Sequence, residues 1–456
     1  MDMLKRKAMK EIRHWFEQEK HKALCILGAR QTGKTTLVRE FARKMDLTLV
    51  ELNFLSDPSA ALIFQGTPDP AQILLQLSYR NPEVDLDSEK TLVLFDEIQE
   101  CPEARTAVKF LVESSKCRFV ETGSLLGARL KDIRSVPVGY ELLMNLYPLD
   151  FEEFMWATRI NPQIIETLKN CALQSVPVPE YLHGKMLELF RTYMAVGGMP
   201  AVVQRFADTR NPGKVQTLLD SLWVLYQQDI VKYADIRDRP WILTIFDNIP
   251  SELMKPNSRF MLNSVRSKGR YTALEPSFAW LTEAGIALPC INVTEPVFPL
   301  QLREKRSIFK FFLLDTGLLC SRYKGVSLEI IQNSHRTNWG GFLENMAAQI
   351  LCASGYSLFY YNSRKHGEID FVLEEGSRIS LIEMKSGRGY RNHAALNNVM
   401  EVPSWNFHRR LVFCEANVFT EDGIGYYPWY LMPFVVSGNV TPKEIPFSFE
   451  SLQIPE

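Results

Sequence analysis

The segment HKALCILGARQTGKTTLVREFARKM, residues 21–45, constrains this chain more than any other stretch. A short apolar run from Ala23 to Leu27 stops at Gly28, and a helix-forming stretch opens after Gly33. Between them Gly28, Ala29, Arg30, Gln31, Thr32, Gly33, Lys34 and Thr35 fit the pattern G-x-x-x-x-G-K-[ST] at every fixed position. Glycine tolerates backbone angles that aim successive N–H groups inward, and the helix N-terminus adds its dipole, so the loop is built to cradle phosphates. Lys34 is expected to reach the β- and γ-phosphates of ATP and Thr35 to offer its hydroxyl to Mg2+, with Thr36 completing the cradle.

Downstream of this loop, strand and helix patterns alternate. Leu47–Phe54 reads as a second strand, and Thr91–Phe95 as a buried one ending in Asp96 and Glu97. An acid at the end of a neighbouring strand is how phosphate-loop enzymes hold part of their Mg2+, so Asp96 is the expected metal ligand. Glu97, one residue on, is placed to polarise the attacking water. Arg118–Glu121 is a further strand, ending in Thr122-Gly-Ser124, and either Thr122 or Ser124 is placed to sense the γ-phosphate. With YELLMNLYPLDFEEF as the fifth strand and the next helix start, the pattern predicts a parallel, doubly wound α/β domain.

GARQTGKTT, LFDEIQECP, ETGS and YPLDFEEF, with YMAVGGMP at 193–200 and LLDTGLL at 313–319, resemble the bacterial AAA-type ATPases that carry a C-terminal domain of unknown function. The resemblance covers nearly the whole chain and implies ATP hydrolysis. Arg129 and Arg134 follow the sensor region, but their spacing compels no arginine-finger role.

Residues 150–235 read helical, interrupted at Gly197-Gly198, with Pro200 ending or restarting a helix. From Trp241 three amphipathic segments, WILTIFDNIPSELM, SRFMLNSVRS and TALEPSFAWLTEAGI, precede two strands, a winged-helix pattern. Lys255, Arg259, Arg266, Lys268 and Arg270 form a basic stripe without an acid, suited to nucleic-acid phosphates.

The last third reads helix, three strands, helix, strand. In GEIDFVLEEGSRISLIEMKSG, residues 367–387, Gly376-Ser377 is a favoured two-residue hairpin loop. Pairing around it sets Asp370 opposite Glu383 on one face, with Glu368 and Lys385 on the same side. Adjacent carboxylates repel unless a cation lies between them, and hard cations take carboxylate oxygens. Asp370, Glu383-x-Lys385 and the element order resemble the PD-(D/E)XK nuclease pattern, and Glu344 matches that superfamily's additional helix acid. The resemblance implies Mg2+ or Mn2+ held by Glu344, Asp370 and Glu383, with Lys385 catalytic. Lys385, Arg388 and Arg391 would form a basic rim for DNA or RNA.

Composition adds limits. A net charge of −1 restricts any nucleic-acid surface to a local patch. The eight cysteines form no C-x-x-C pair and sit mostly in apolar runs, and the N-terminal segment has no apolar signal core, so a cytoplasmic protein with reduced thiols and no membrane partner is expected. The expected fold is α/β: a P-loop AAA-type domain (1–157), a helical lid (158–236), a winged-helix domain (237–325) and a nuclease-like domain (326–456). The expected function is an ATPase whose nucleotide state is coupled to the last domain. The alternative is a non-nuclease switch that binds a protein partner, with an oligomer open in either case.

Overall fold

The computed structural model describes residues 4–66, 69–124, 139–266, 271–334 and 338–437. Arg129, Arg134, Lys268 and Arg270 lie outside them. The first unit is a five-stranded parallel sheet in the order β2-β3-β4-β1-β5: β1 Ala23–Leu27, β2 Thr48–Asn53, β3 Thr91–Asp96, β4 Arg118–Gly123 and β5 Glu141–Asn145. Every residue of β3 is buried, as a central strand covered on both faces requires, and each fully buried side chain such as Phe95 contributes about 2–3 kcal/mol. The sheet's C-terminal edge collects the loop after β1, the acid ending β3 and the hydroxyls ending β4. Ligands bind at that edge in open parallel sheets.

The stretch YPLDFEEF has a local reason for its sequence. Asp150 caps the helix Phe151–Ala157 and Glu153 reaches back to the Asp150 N–H, a complete capping box. The same acids hold the N-terminal segment, for Lys7 pairs with Asp150 at 2.5 Å and Arg6 with Glu153 at 3.2 Å.

Helices Pro162–Gln174, Glu180–Val196, Pro200–Thr209 and Gln216–Tyr233 come next, as the helical pattern of residues 150–235 predicts. The break between them at Gly197-Gly198 is tightly packed. A Cβ on Gly198 would stand 2.1 Å from Leu149 O, and Gly197 has φ +79°.

The second sheet has eight strands in the order β12-β13-β11-β10-β9-β8-β6-β7. They are β6 Ala287–Val293, β7 Glu304–Leu313, β8 Leu358–Ser363, β9 Gly367–Glu375, β10 Arg378–Met384, β11 Phe407–Cys414, β12 Phe419–Glu421 and β13 Ile424–Pro428. Helix Gly340–Ala353 packs against it, and Ala394–Met400 lies between β10 and β11. The sequence pattern does not reveal the pair β12 and β13. Nor does it reveal the fate of the β6–β7 hairpin: β6 pairs in parallel with β8, from Cys290↔Leu358 to Val293↔Tyr361. The sheet therefore runs across the boundary expected between residues 325 and 326, and one apolar core joins the helical segment to it.

Residues 258–266, the described part of SRFMLNSVRS, do not form the expected α-helix. Among them only Leu262–Ser264 makes a short 3-10 turn, because Ser258 turns the chain at φ +45° and the Phe260 N–H is taken by Phe309 O of β7. Edge pairing replaces the helical bond there.

Candidate functional site

At the end of β1 the phosphate loop adopts the backbone its glycines allow. Gly28 and Gly33 have φ +149° and +91°, and a Cβ on Gly28 would stand 2.3 Å from Leu146 O. Helix Lys34–Lys44 starts at the loop's end. Arg30, Gln31, Lys34, Thr35, Glu97 and Pro200 line a cavity of about 500 Å³, within the range of small-molecule sites. Lys34 is buried, and its Nζ donates to Gly28 O at 2.8 Å and Ala29 O at 2.9 Å. Burial pushes its ammonium down to about 8, opposed by the charges of Glu97 and Asp96.

Asp96 receives Thr35 Oγ1 at 2.9 Å, Asn53 Nδ2 at 2.7 Å and Thr122 Oγ1. Thr35 and Asp96 thus put a hydroxyl and a carboxylate side by side, an all-oxygen set suited to a hard cation. Glu97 carries φ +54°, a strained angle for a residue with a side chain, and accepts from Gln99 Nε2 at 2.5 Å and Ser124 Oγ at 3.1 Å. Of the two sensor candidates, Thr122 faces Asp96 and Ser124 faces Glu97.

Three residues that hold this loop carry almost no sequence signal. Arg6 donates to Thr32 O at 3.0 Å and Tyr147 O at 2.6 Å. Asp229 accepts from Arg30 at 2.6 Å, and Tyr226 Oη donates to Arg30 O at 3.0 Å. Asp229 and Tyr226 are marked in the sequence only as polar residues inside a largely apolar helix pattern, and Arg6 only as one of three successive basic residues before the first helix.

The acids of the last third lie in the second sheet. The β9–β10 ladder runs from Glu375↔Arg378 to Phe371↔Ile382, the register set by a Gly376-Ser377 loop, and Asp370 and Glu383 are the next residues along. Asp370 Oδ2 accepts from Met384 N at 2.7 Å, and Lys385 pairs with Glu383 at 2.9 Å. Helix Gly340–Ala353 supplies Glu344 at its fifth position. Burial raises the carboxyls of Glu344, Asp370 and Glu383 above the ordinary carboxylate range, and the Asp370 charge adds to the rise at Glu383.

A further group occupies this cluster. Lys310 of β7, fully buried, places Nζ 2.7 Å from Glu344 Oε2 and 2.6 Å from Glu368 Oε1. Among the described residues the only three metal-type side chains with ligand atoms within 4.8 Å of one another are Cys25, Glu121 and Glu141, a core group that Arg105 already approaches, at 2.9 Å from Glu141. Glu344, Asp370 and Glu383 are therefore not gathered around one ion position in this arrangement. Two lysines, Lys310 and Lys385, pair with acids of this cluster. The one trace of Lys310 in the sequence is a lone cation within IFKFFLL.

The basic residues are partly engaged. Lys255 pairs with Glu252 at 2.7 Å, Arg266 lies over Trp241, and Arg391 pairs with Glu421 at 3.3 Å. Among the described residues no helix is long and apolar enough to cross a membrane.

Parallel sheet, glycine loop and strand-end acid define a P-loop ATPase-type domain, joined to a mixed-sheet α/β unit. Residues 20–155 match the family profile of an AAA domain, residues 187–328 a domain of unknown function, DUF8612, and residues 339–430 another, DUF4143. An uncharacterized protein of Haemophilus influenzae is 24% identical over 370 residues, 79% of this chain and 81% of its own. Among solved structures, the Walker-type ATPase PABY2304 of Pyrococcus abyssi aligns over 71% of this chain and 97% of its own, with 14% identity and a TM-score of 0.41. PCH-2 of C. elegans aligns over 45% and 63%, with 14% identity and a TM-score of 0.28.

Proposed function

We propose that this protein is an ATP-dependent switch: residues 1–157 bind and hydrolyse ATP with Mg2+, residues 158–236 act as a lid, and the winged-helix-like and nuclease-like segments beyond respond to nucleotide state. The observation that carries this reading is the clamp on the phosphate loop. Arg30 is tied by side chain and backbone to helix Gln216–Tyr233, so a loop that rearranges around phosphates must move or release that helix. A separate polar chain starts at Leu149. Tyr193 Oη donates to Leu149 O at 2.7 Å and receives Gln349 Nε2 at 3.1 Å, and Gln349 Oε1 accepts from Thr316 N at 3.0 Å. Gln349 shares its helix with Glu344 of the acid cluster.

In this reading Lys34 leaves the loop carbonyls for the β- and γ-phosphates, Glu97 orients the attacking water, and Ser124 holds Glu97. Thr35 and Asp96 would hold Mg2+, which when bound neutralises charge on the transferred phosphoryl group. ATP turnover by the purified protein with Mg2+, compared with Lys34→Ala, tests the proposal. Turnover that survives this substitution rejects it.

For the C-terminal unit, action on or binding to DNA or RNA is the first reading, supported by the facing acids and by Lys385, Arg388 and Arg391. A non-nuclease unit that binds a protein partner is favoured by Lys310, which sits on two of the acids. Incubation with Mn2+ and DNA or RNA, with Asp370→Ala as control, separates them. Cleavage lost in the control supports nuclease action, binding without cleavage supports the binding form of the first reading, and neither binding nor cleavage supports the second.

A further inference from the structure

The acid cluster holds four carboxylates, Glu344, Glu368, Asp370 and Glu383, against two ammonium groups, Lys310 and Lys385. If all four were ionised, the acids would outnumber the ammonium groups two to one. Glu383 is 3% exposed, yet its Oε1 has no hydrogen-bond partner. A buried carboxylate oxygen without a partner is costly and favours the approach of a cation or proton.

Lys310 reaches the cluster from the outermost strand of the sheet. Among the described strands β7 pairs only with β6, and their register slips between Ile291↔Phe309 and Asn292↔Lys305, so Arg306–Ile308 bulge out two residues before Lys310. Bulges at sheet edges re-aim the neighbouring side chains. Two residues past its end, the same strand leads into Asp315, whose Oδ2 accepts from Gly198 N at 2.6 Å at the break between lid helices. The cation is therefore delivered by an edge element tied to the lid, rather than by the hairpin that carries Asp370 and Glu383.

We propose that Lys310 is an internal lock: its ammonium stands where a divalent cation would bridge the helix acid and the strand acids, and its withdrawal opens a divalent-cation site at Glu344, Asp370 and Glu383. The proposal rests on reading these acids as a nuclease-like cluster, but it concerns ion occupancy and not cleavage. A lysine bridging two carboxylates satisfies them without metal, and it excludes an ion by charge and by volume.

Mn2+ binding without nucleotide, followed by electron paramagnetic resonance, tests it on the full chain. Wild type should bind Mn2+ weakly, Lys310→Met at least tenfold more tightly, and Lys310→Met/Glu383→Gln no better than wild type. Glu368→Gln, which removes one of the lock's two anchors, should give an intermediate gain, and it carries the test should Lys310→Met not fold. Equal Mn2+ affinity in wild type and in the folded lock variants overturns the proposal, as does a gain that survives Glu383→Gln. Tight Mn2+ binding without nucleic-acid cleavage upholds the lock and removes only the nuclease reading.

Discussion

Arg30 of the phosphate loop donates to Asp229 of helix Gln216–Tyr233 across 2.6 Å, spanning 199 residues of chain. With Tyr226 on the neighbouring carbonyl, this contact holds the loop in a form where Lys34 is turned back on its own backbone. A partly buried ion pair of this kind is worth about 1 kcal/mol. That stabilisation opposes any loop form that receives phosphates. Asp229→Asn is accordingly expected to tighten ADP binding about three- to tenfold. A fluorescent-nucleotide titration checks this, and an unchanged or weaker affinity would contradict the clamp.

Glu97 combines a strained backbone with a carboxylate held by Gln99 and Ser124. General-base removal typically costs about 100-fold or more in rate. Glu97→Gln should lower ATP turnover by about that factor while leaving binding within about threefold of wild type. Lys34→Ala should lose binding itself. Loss of nucleotide binding in Glu97→Gln would show that the residue builds the pocket instead.

Two glycines separate packing from propensity. Gly184 lies exposed in helix Glu180–Val196, with nothing within 4 Å of an added Cβ. Gly184→Ala should raise stability by about 0.5–1 kcal/mol, read as a higher melting temperature. Gly198→Ala drives a methyl onto Leu149 O and should cost more than about 3 kcal/mol or prevent folding. Similar melting temperatures for the two variants would disprove this packing.

Asp315 supplies the pH dependence. It is fully buried, and burial lifts its carboxyl from 3.8 to about 6 despite the backbone N–H groups of Gly198 and Leu318 that favour the charged form. The folded state therefore holds this proton more tightly than the unfolded chain. Stability falls as pH rises from about 4 to about 6, and the full cost, on the order of 3 kcal/mol, is present above that window. Asp315→Asn should lose this slope, together with one backbone bond because its amide nitrogen cannot accept. Melting temperatures from pH 4 to 7 for both proteins give the comparison. Parallel curves would rule out Asp315 as the titrating group.

Much of the architecture was legible because it rests on local physics. Gly28 and Gly33 mark positive-φ positions between an apolar strand and a helix. The buried run ending in Asp96 reads as a central parallel strand. Gly376-Ser377 sets the hairpin register, because a two-residue turn leaves one way to pair the strands. The SRFMLNSVRS segment has helical apolar spacing, but its Phe260 N–H is claimed by β7 and its Met261 N–H by Glu252.

The chain alone thus determined where phosphates are cradled, which strand ends carry acids and which residues of the last hairpin face one another. It could not determine what meets them. Arg6, Asp229, Lys310 and Asp315 each have a partner far off in sequence, and no periodicity points from one to the other. Only the folded chain brings Lys310 onto Glu344 and Glu368. A buried acid needs backbone donors, a proton or a cation, and the tertiary structure decided that Glu344 and Glu368 meet a lysine on the sheet's edge.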